Sequence, residues 1–331
     1  MNMSFQEMVD LASHGLISSG ISKRAAVQTA QFLALAECDG IASHGLARVA
    51  QYVSHAKNNR IALQAEPKLL KRHQAVALID AGDGLAFPAL RYATDLSVEL
   101  AHRFGIGLVA ITNSHHFGVA GHFTEASARA GYISIMFGNT PAAMPMVGGK
   151  KAIFGTNPIA ASFPVSAKDP LVIDMSLSAV ARGRILVAAK KGESIPHGWA
   201  LDASGQPTTD AQEALQGLMV PLGGDKGALL ALVVELLVVG LTGSRFSYEA
   251  DSFFSAHGNR PQVGQLIITI KPDLAGKNIF NQRLAEFLAV LYLDSDIRLP
   301  GQRRFKQRSL AMKNGVEVSE LLISEIQMGM K

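Results

Sequence analysis

Three histidines, His115, His116 and His122, lie within a stretch of eight residues. Imidazole has an ordinary pKa close to neutrality, so it can donate or accept a proton in a reaction. Residues 107–111 before them are apolar and partly β-branched, which predicts a buried strand, and the residues after 121 have a helical pattern. We therefore expect a strand-to-helix corner, where catalytic groups gather in mixed α/β folds. The alternative is that one or two of the three histidines only satisfy local hydrogen bonds.

A second cluster, Ser43, His44 and Arg48, combines a titratable group with a fixed cation. If residues 39–53 form a helix, the spacing of four places His44 and Arg48 on one face, with Ser43 at the N-cap edge. The planar guanidinium can bind both oxygens of a carboxylate, so the cluster predicts a carboxylate site. The alternative is a capped surface helix with a solvated arginine.

Two further segments predict contacts with a ligand. Residues 221–227 are rich in glycine and contain Lys226 just before a predicted helix, where free N–H groups and the helix dipole favour an anion. They lack the Walker pattern, and a plain turn that starts the helix explains them equally well. Asp174 ends a predicted strand, so it can accept ribose hydroxyls or cap the next turn. The glycine pairs at 82–84 and 105–107 do not fit a Rossmann fingerprint.

The elements that must position these groups alternate between strands and helices, which predicts a mixed α/β fold. Strands are predicted over 75–79, 106–112, 132–138, 170–174 and 265–270. Helices are predicted over 5–16, 23–37, 39–53, 88–103, 122–130, 176–191, 227–240, 281–293 and 318–328. The segment 227–240 is too short to span a bilayer and carries Glu235, so it predicts a buried helix and no membrane association.

Composition narrows the class of protein. A chain of 331 residues with 48% hydrophobic and 18% charged residues predicts a globular protein with the apolar content of an obligate oligomer. The net charge is +4, but the basic residues are scattered, and the densest run, 303–308, has no aromatic platform, which disfavours nucleic-acid binding. Cys38 is the only cysteine, so no disulfide framework or cysteine-based metal site is expected. A reducing cytoplasm fits, and no signal peptide is visible.

Eight motifs, in order from about residue 5 to the C-terminus, resemble the malate/L-lactate dehydrogenase family. This non-Rossmann group includes ureidoglycolate dehydrogenases and the Δ1-piperideine-2-carboxylate and Δ1-pyrroline-2-carboxylate reductases. The motifs are Ser43-His-Gly-x-x-Arg48, Asn113-Ser-His-His-Phe-Gly118, Phe154-Gly-Thr-Asn-Pro158, Ile173-Asp-Met175, Gly198-Trp-Ala-Leu-Asp202, Pro207-Thr-Thr-Asp210, Gly223-Gly-x-Lys-Gly227 and Gly264-Gln-Leu266.

The resemblance implies an α/β (α+β) fold with two domains. A helical dimerisation domain, residues 1–74 with 280–331, would pack on a non-Rossmann mixed-sheet domain, residues 75–279, that binds NADH or NADPH. The active site would lie between the domains of a cytoplasmic homodimer, with a small carboxylate as substrate. No metal, membrane or nucleic acid is implied.

The same resemblance assigns roles to residues. His116 corresponds to the acid–base histidine and Arg48 to the clamp for the substrate carboxylate, while Ser43 and His44 match the proton-donating pair of the imine reductases. His122 and Arg182 are assigned to the substrate pocket. The residues that fall where the family holds its cofactor are His116, Phe117, Gly118, Val119, Ala120, Thr140, Asp174, Met175, Ser176, Lys226, Gly227 and Gly301.

The expected reaction is hydride transfer to the carbon next to a carboxylate, which requires a proton donor and a carboxylate anchor. Segments 176–185 and 249–254 resemble a bacterial branch of hydroxyproline catabolism, so reduction of Δ1-pyrroline-2-carboxylate to proline is the first expectation. A malate- or lactate-type 2-hydroxy acid dehydrogenase is the alternative, and a basic nucleic-acid-binding protein is a distant one. One departure bears on the branch: the imine reductases have Gly-Asp where this chain has Gly183-Arg184.

Overall fold

A computed structural model describes residues 1–329, and its centre is a mixed sheet of seven strands. Their order is β2-β3-β4-β13-β5-β8-β9; β3 and β4 run parallel, and every other neighbouring pair is antiparallel. The strands along the chain are β1 (Asn2–Met3), β2 (Lys68–His73), β3 (Val76–Asp80), β4 (Ile106–Ser114), β5 (Ile133–Gly138), β6 (Met144–Pro145), β7 (Ala152–Phe154), β8 (Ile159–Phe163), β9 (Leu171–Met175), β10 (Ala200–Leu201), β11 (Pro207–Thr208), β12 (Leu218–Met219), β13 (Val263–Ile270) and β14 (Val316–Glu317).

Helices cover both faces of this sheet and form a separate layer beside it. They are α1 (Phe5–Ser18), α2 (Lys23–Cys38), α3 (Ala47–Lys57), α4 (Ala86–Phe104), α5 (Gly121–Arg129), α6 (Arg182–Lys191), α7 (Ala211–Gln216), α8 (Asp225–Thr242), α9 (Ile279–Leu291), α10 (Gln302–Asn314) and α11 (Glu320–Gly329), with 3-10 turns at Ala42–His44 and Ser247–Glu249. The short strands β1 and β14 pair with each other, which brings the two ends of the described chain together. The expected mixed α/β architecture is confirmed.

The core explains why β4 and β13 lie in the middle of the sheet. Both strands are apolar on both faces, so they are stable only when each face is covered. Ile111 and Ile267 face the layer formed by α4 and α5, while Ala110 and Leu266 face α8. Burial of each Ile or Leu side chain stabilises the fold by about 1.5–3 kcal/mol, so these contacts hold the end of β4 in a fixed place.

Most elements that flank the candidate residues lie where the sequence predicts them, and the helix predicted over 39–53 is an exception. The structure has a 3-10 turn at Ala42–His44 and a separate helix from Ala47, with Gly45 between them in a non-helical conformation. The buried Glu37 carboxylate accepts a hydrogen bond from the Leu46 N–H at 2.7 Å and replaces the expected cap. His44 and Arg48 therefore do not share one helix, and Ser43 is not its N-cap.

Two other helix predictions are wrong in part. The segment 176–191 is helical only from Arg182, because its first residues bond to neighbouring segments, as Leu177 N–H does to the Thr156 carbonyl. Helix α8 is not buried on all sides, since Leu236 and Leu241 on it are more than half exposed. Along residues 1–329, no helix combines the length and apolar character that crossing a membrane requires. The domain division stays a prediction, although β2, at 68–73, already pairs with β3.

Candidate active site

His116 lies just after the end of β4, in the turn that leads to α5. Its ring is 8% exposed, and its Nδ1 atom is 2.6 Å from the hydroxyl oxygen of Tyr52, a fully buried residue of α3. Burial lowers the pKa of His116 well below its ordinary value, and the positive charge of Arg48 lowers it further. His116 is therefore neutral near pH 7 when the site holds no anion.

The contact with Tyr52 determines which ring nitrogen can act. Burial raises the pKa of Tyr52 far above its ordinary value, so the phenol keeps its proton. When Nδ1 of the neutral imidazole donates its proton to the Tyr52 oxygen, Nε2 keeps a lone pair that can accept a proton from a substrate and, once protonated, return it. Tyr52 thus orients His116, as second partners orient catalytic histidines elsewhere.

His44 and Ser43 lie directly beside His116. The His44 ring stacks on the His116 ring with centroids 5.7 Å apart and an angle of 22° between planes. Its Nδ1 atom is 3.0 Å from the Ser43 hydroxyl. Burial lowers the pKa of His44 to about 4, with a further contribution from Arg48. The pair that sequence reasoning joined to His116 is therefore in contact with it.

Arg48 reaches the same place from the first turn of α3. Its Nε donates to the Ser43 carbonyl at 2.7 Å and its Nη1 to the Gln51 side-chain oxygen at 2.6 Å. Its guanidinium lies 5.5 Å from the centre of the Phe254 ring. No carboxylate within residues 1–329 forms an ion pair with Arg48, so its charge is available to an anion.

A second guanidinium approaches the same phenyl ring. Arg182, at the start of α6, lies 5.7 Å from the centre of Phe254 and donates to the Leu215 carbonyl at 2.8 Å. Like Arg48, it has no acidic partner in the part of the chain that the structure describes. Burial lowers the pKa of both arginines from their ordinary values, which reflects the cost of holding two cations out of water. The site is thus strongly attractive to anions.

Residues 3–327 match the profile of a protein family described as malate/L-lactate dehydrogenase. The chain belongs to this family. It is 43% identical to a (2R)-3-sulfolactate dehydrogenase (NADP(+)) of Chromohalobacter salexigens, over 98% of this chain and 97% of that protein. It is 37% identical to a Δ1-pyrroline-2-carboxylate/Δ1-piperideine-2-carboxylate reductase of Pseudomonas putida, over 97% and 94% of the two chains.

Solved structures agree with this assignment. The chain resembles the Δ1-piperideine-2-carboxylate reductase from Pseudomonas syringae with a TM-score of 0.94 and 33% identity, over 99% of each chain. It resembles the sulfolactate dehydrogenase from Methanocaldococcus jannaschii with a TM-score of 0.90 and 31% identity, over 99% of this chain and 96% of that one. The family and fold expected from the motifs are confirmed, and this family member is an oxidoreductase.

The residues predicted to hold a cofactor are distributed over five segments of the chain. Phe117, Gly118, Val119 and Ala120 form the turn between β4 and α5, Asp174 and Met175 end β9 and Ser176 follows, Lys226 and Gly227 open α8, and Gly301 precedes α10. Thr140 accepts a hydrogen bond from the Thr156 N–H at 3.0 Å. Asp174 accepts one from the Gly121 N–H at 2.8 Å. Their contact with a cofactor stays a prediction.

His122, predicted to line the substrate pocket, is bonded to a buried carboxylate. It is buried, and its Nε2 donates to the Asp39 carboxylate at 2.8 Å. The same carboxylate is bound by Arg308 of α10, which also reaches Glu125 of α5 at 2.7 Å. Its ring nitrogen is thus already engaged, and its substrate role stays a prediction. The basic run 303–308 is not simply an exposed patch of charge, because Arg308 belongs to an internal ion-pair network.

This network predicts a large contribution to stability. The Arg308 side chain is only 16% exposed and binds two nearly buried carboxylates, so Arg308→Met breaks two buried ion pairs, with His122 still beside Asp39 and Arg129 beside Glu125. We expect urea denaturation to show a loss of about 3–5 kcal/mol in the free energy of unfolding. The matched control is Arg72→Met, whose pair with Glu99 is exposed and should contribute less than about 1 kcal/mol. Equal effects of the two substitutions would contradict this interpretation.

The sign of the pH dependence follows from the same groups. Burial alone raises the pKa of Asp39 and of Glu125, but Arg308, together with His122 beside Asp39 and Arg129 beside Glu125, outweighs it and holds both pKa values below their ordinary values. The unfolded chain therefore binds these protons at a higher pH than the folded chain. The stability from the network is complete above the ordinary carboxyl pKa values and is lost as the pH falls through the lowered ones.

Proposed function

We propose that this family member transfers hydride between NADH or NADPH and the carbon next to a carboxylate, and that its substrate carries a second anionic group. The observation that supports this proposal is the pair of guanidiniums of Arg48 and Arg182, which lie 5.5 and 5.7 Å from the centre of the Phe254 ring and are not paired with an acid in the described chain. A 2-oxo acid with a sulfonate or carboxylate on C3 has two anions for these two cations. The proposed pair of substrates is 3-sulfopyruvate and 3-sulfolactate, the latter being the compound named for a relative.

Arg48, His116 and Tyr52 each have a separate role in the proposed hydride transfer. Arg48 binds the carboxylate through its planar fork and fixes the carbon that reacts. In reduction, protonated His116 donates the proton at Nε2 to the substrate oxygen and becomes neutral, in oxidation neutral Nε2 accepts it, and Tyr52 keeps the ring in that orientation. An anion bound on Arg48 offsets the positive charge that depresses the pKa of His116, so substrate binding favours protonation of the donor. When bound, the cofactor supplies or accepts the hydride.

The residues at the start of α8 fit a dinucleotide. This helix of 18 residues has Gly224 at its N-cap, with no side-chain hydrogen bond there, and Lys226 lies in its first turn. Free N–H groups and the helix dipole at such an end attract phosphate. Gly227 is packed so closely on the Leu222 backbone that a side chain would collide with it. We assign Lys226 and Gly227 to the cofactor phosphates, and Asp174 and Ser176 to the same cofactor.

Reduction of Δ1-pyrroline-2-carboxylate is the second candidate, and the hydrogen bond between Ser43 and His44 favours it. In the imine reductases an acid completes this pair, whereas here Arg184 occupies its place and is exposed. A cyclic imine also has a single carboxylate, which leaves Arg182 without a partner. These two features place the imine second to a substrate with two anions.

A substrate panel tests the proposal. Purified protein is mixed with NADH or NADPH and with 3-sulfopyruvate, oxaloacetate, pyruvate or Δ1-pyrroline-2-carboxylate, and oxidation of the cofactor is followed by absorbance. We expect kcat/KM to be at least about tenfold higher for the two dianions than for pyruvate, because one charge-assisted hydrogen bond contributes about 1.5–3 kcal/mol. Preferred turnover of the imine supports the second candidate instead. No turnover of any compound refutes both.

A surface suited to the dimer implied by the family lies on α8, within residues 75–279 and outside the helical domain predicted to form the dimer. Six large apolar side chains on one face of this helix are each between 37% and 56% exposed: Leu229, Leu230, Val233, Leu236, Leu237 and Leu241. Such a continuous apolar face is unusual on a monomer. We assign it to the contact between two copies of the chain, and analytical ultracentrifugation of Leu236→Glu against the unmodified protein should report monomer and dimer respectively.

A further inference from the structure

The segment 250–262 connects the 3-10 turn at Ser247–Glu249 to β13 without regular structure, yet it carries two aromatic residues of the site. Phe253 lies with its ring centre 5.3 Å from the ring centres of His115 and of His116. Phe254 is 59% exposed, and the guanidiniums of Arg48 and Arg182 lie 5.5 and 5.7 Å from the centre of its ring. The conformation of this segment therefore determines where the Phe253 and Phe254 rings lie against the histidines and the two cations.

Arg60 is the residue that holds this segment. It follows α3, is fully buried, and donates to four backbone carbonyls of the segment: Nε to Asn259 at 3.0 Å, Nη2 to Asp251 at 3.1 Å, and Nη1 to Ser252 at 3.0 Å and to Ser255. No ion pair to Arg60 is formed within residues 1–329. A buried cation is costly unless its donors are satisfied, so these carbonyls and the guanidinium stabilise each other.

Two residues on α3 reinforce the same segment one helical turn apart. Gln51, which accepts from Arg48, donates to the Phe253 carbonyl. His55 Nε2 lies 3.0 Å from the Ser255 carbonyl oxygen and 3.2 Å from Arg60 Nη1. His55 Nδ1 lies 3.0 Å from His115 Nε2, within hydrogen-bond distance. Helix α3 and Arg60 after it thus link Arg48 and the histidines to the segment 250–262.

We infer that Arg60 is a positioning residue for substrate recognition, which acts by fixing Phe254 beside Arg48 and Arg182. The inference rests on the proposed function, because it assigns the space around Phe254 to the substrate anions. Arg60 itself touches neither these anions nor the reacting atoms. Its rigid fork, with donors aimed at four carbonyls, suits the task of holding a loop, and lysine cannot reproduce that geometry.

The experiment is a double-mutant cycle with Arg60→Lys and Phe254→Ala, measured with the best substrate of the panel. We expect Arg60→Lys to raise KM by about tenfold, since small displacements of a binding group are costly, while the Kd of NADPH stays unchanged. In the Phe254→Ala background the same substitution should have no further effect on KM, because the side chain through which Arg60 acts is missing. A purely structural role gives additive effects instead and overturns the inference.

Two controls keep the outcomes distinct. Arg260→Lys alters another arginine on the same segment, which binds Asn59 and Asp83, and it should leave KM unchanged. Phe254→Ala alone removes a mostly exposed ring, so it should yield folded protein even if Arg60→Lys does not; an unchanged KM in this variant also overturns the inference. If the protein reduces Δ1-pyrroline-2-carboxylate but not 3-sulfopyruvate, the proposed function is wrong, and KM in the double-mutant cycle is measured with the imine as substrate.

Discussion

His116→Ala is expected to lower kcat by at least about 10²-fold in either direction of the reaction, as loss of a general acid–base residue does. The reason is the geometry at the end of β4, where the buried Tyr52 hydroxyl lies 2.6 Å from His116 Nδ1 and leaves Nε2 to the substrate. The proton must otherwise come from water, which this closely packed corner largely excludes. Steady-state kinetics with the best substrate and cofactor measure the effect.

The control is His102→Ala, because His102 is an exposed histidine on α4 that contacts Tyr132. It should have no effect on kcat. Tyr52→Phe keeps the ring but removes the hydroxyl, so its kcat should fall between those of the unmodified protein and His116→Ala. If His116→Ala retains near-normal kcat while His44→Ala does not, the proton comes from the Ser43–His44 pair.

The pH profile gives an independent check on the same residue. In the oxidative direction the neutral imidazole accepts the proton, so activity is lost when His116 becomes protonated. Because burial and Arg48 lower the pKa of His116, kcat/KM for oxidation should remain high as the pH falls through 6.5, the ordinary value, and decline only at lower pH. A decline centred above the ordinary value would contradict the assignment.

Arg48→Met is the second large effect that we expect, and it should appear in KM. The lost interaction is a charge-assisted, two-oxygen contact with the substrate carboxylate, and two such hydrogen bonds together contribute about 3 kcal/mol, or about 100-fold in KM. Arg48 contacts Phe254, Ser43 and Gln51, and none of these is a residue assigned to the cofactor. The Kd of NADPH, measured by its fluorescence, should therefore not change.

Arg48→Lys is the matched variant, since it keeps the charge and loses the planar fork. Its KM should lie between that of the unmodified protein and that of Arg48→Met, because a point charge cannot bind both carboxylate oxygens in the same way. If both variants weaken NADPH binding as much as substrate binding, Arg48 belongs to the cofactor site and the proposed clamp is wrong.

Much of the site could be predicted from local sequence. The pattern of residues 106–122 predicts a strand that ends at the histidines, and β4 and α5 lie there because short apolar runs and helical spacing are local signals. The types of His44, His116 and Arg48 predict their chemistry, and the structure brings these three together. Their roles stay predictions that the experiments above test.

What sequence could not reveal depends on contacts between distant segments. Tyr52 carries a weak local signal, four residues after Arg48, but its partner is 64 positions away. Phe254 appears only within the segment 249–254 that resembles one branch, and Arg60 has no signal, because the contacts of both depend on the segment 250–262 folding back on α3. The helix predicted over 39–53 fails for the same reason, since the Glu37 side chain, rather than a local cap, sets where α3 begins.

The proposed second anion site at Arg182 is tested most directly by one ratio. In Arg182→Leu and in the unmodified protein, kcat/KM is measured for 3-sulfopyruvate and for pyruvate with the preferred cofactor. We expect the preference for 3-sulfopyruvate to fall by at least about tenfold in the variant, with pyruvate little affected, because only the second anion loses its partner. A preference for 3-sulfopyruvate that survives Arg182→Leu, or an unmodified protein that does not distinguish the two acids, would contradict the proposal.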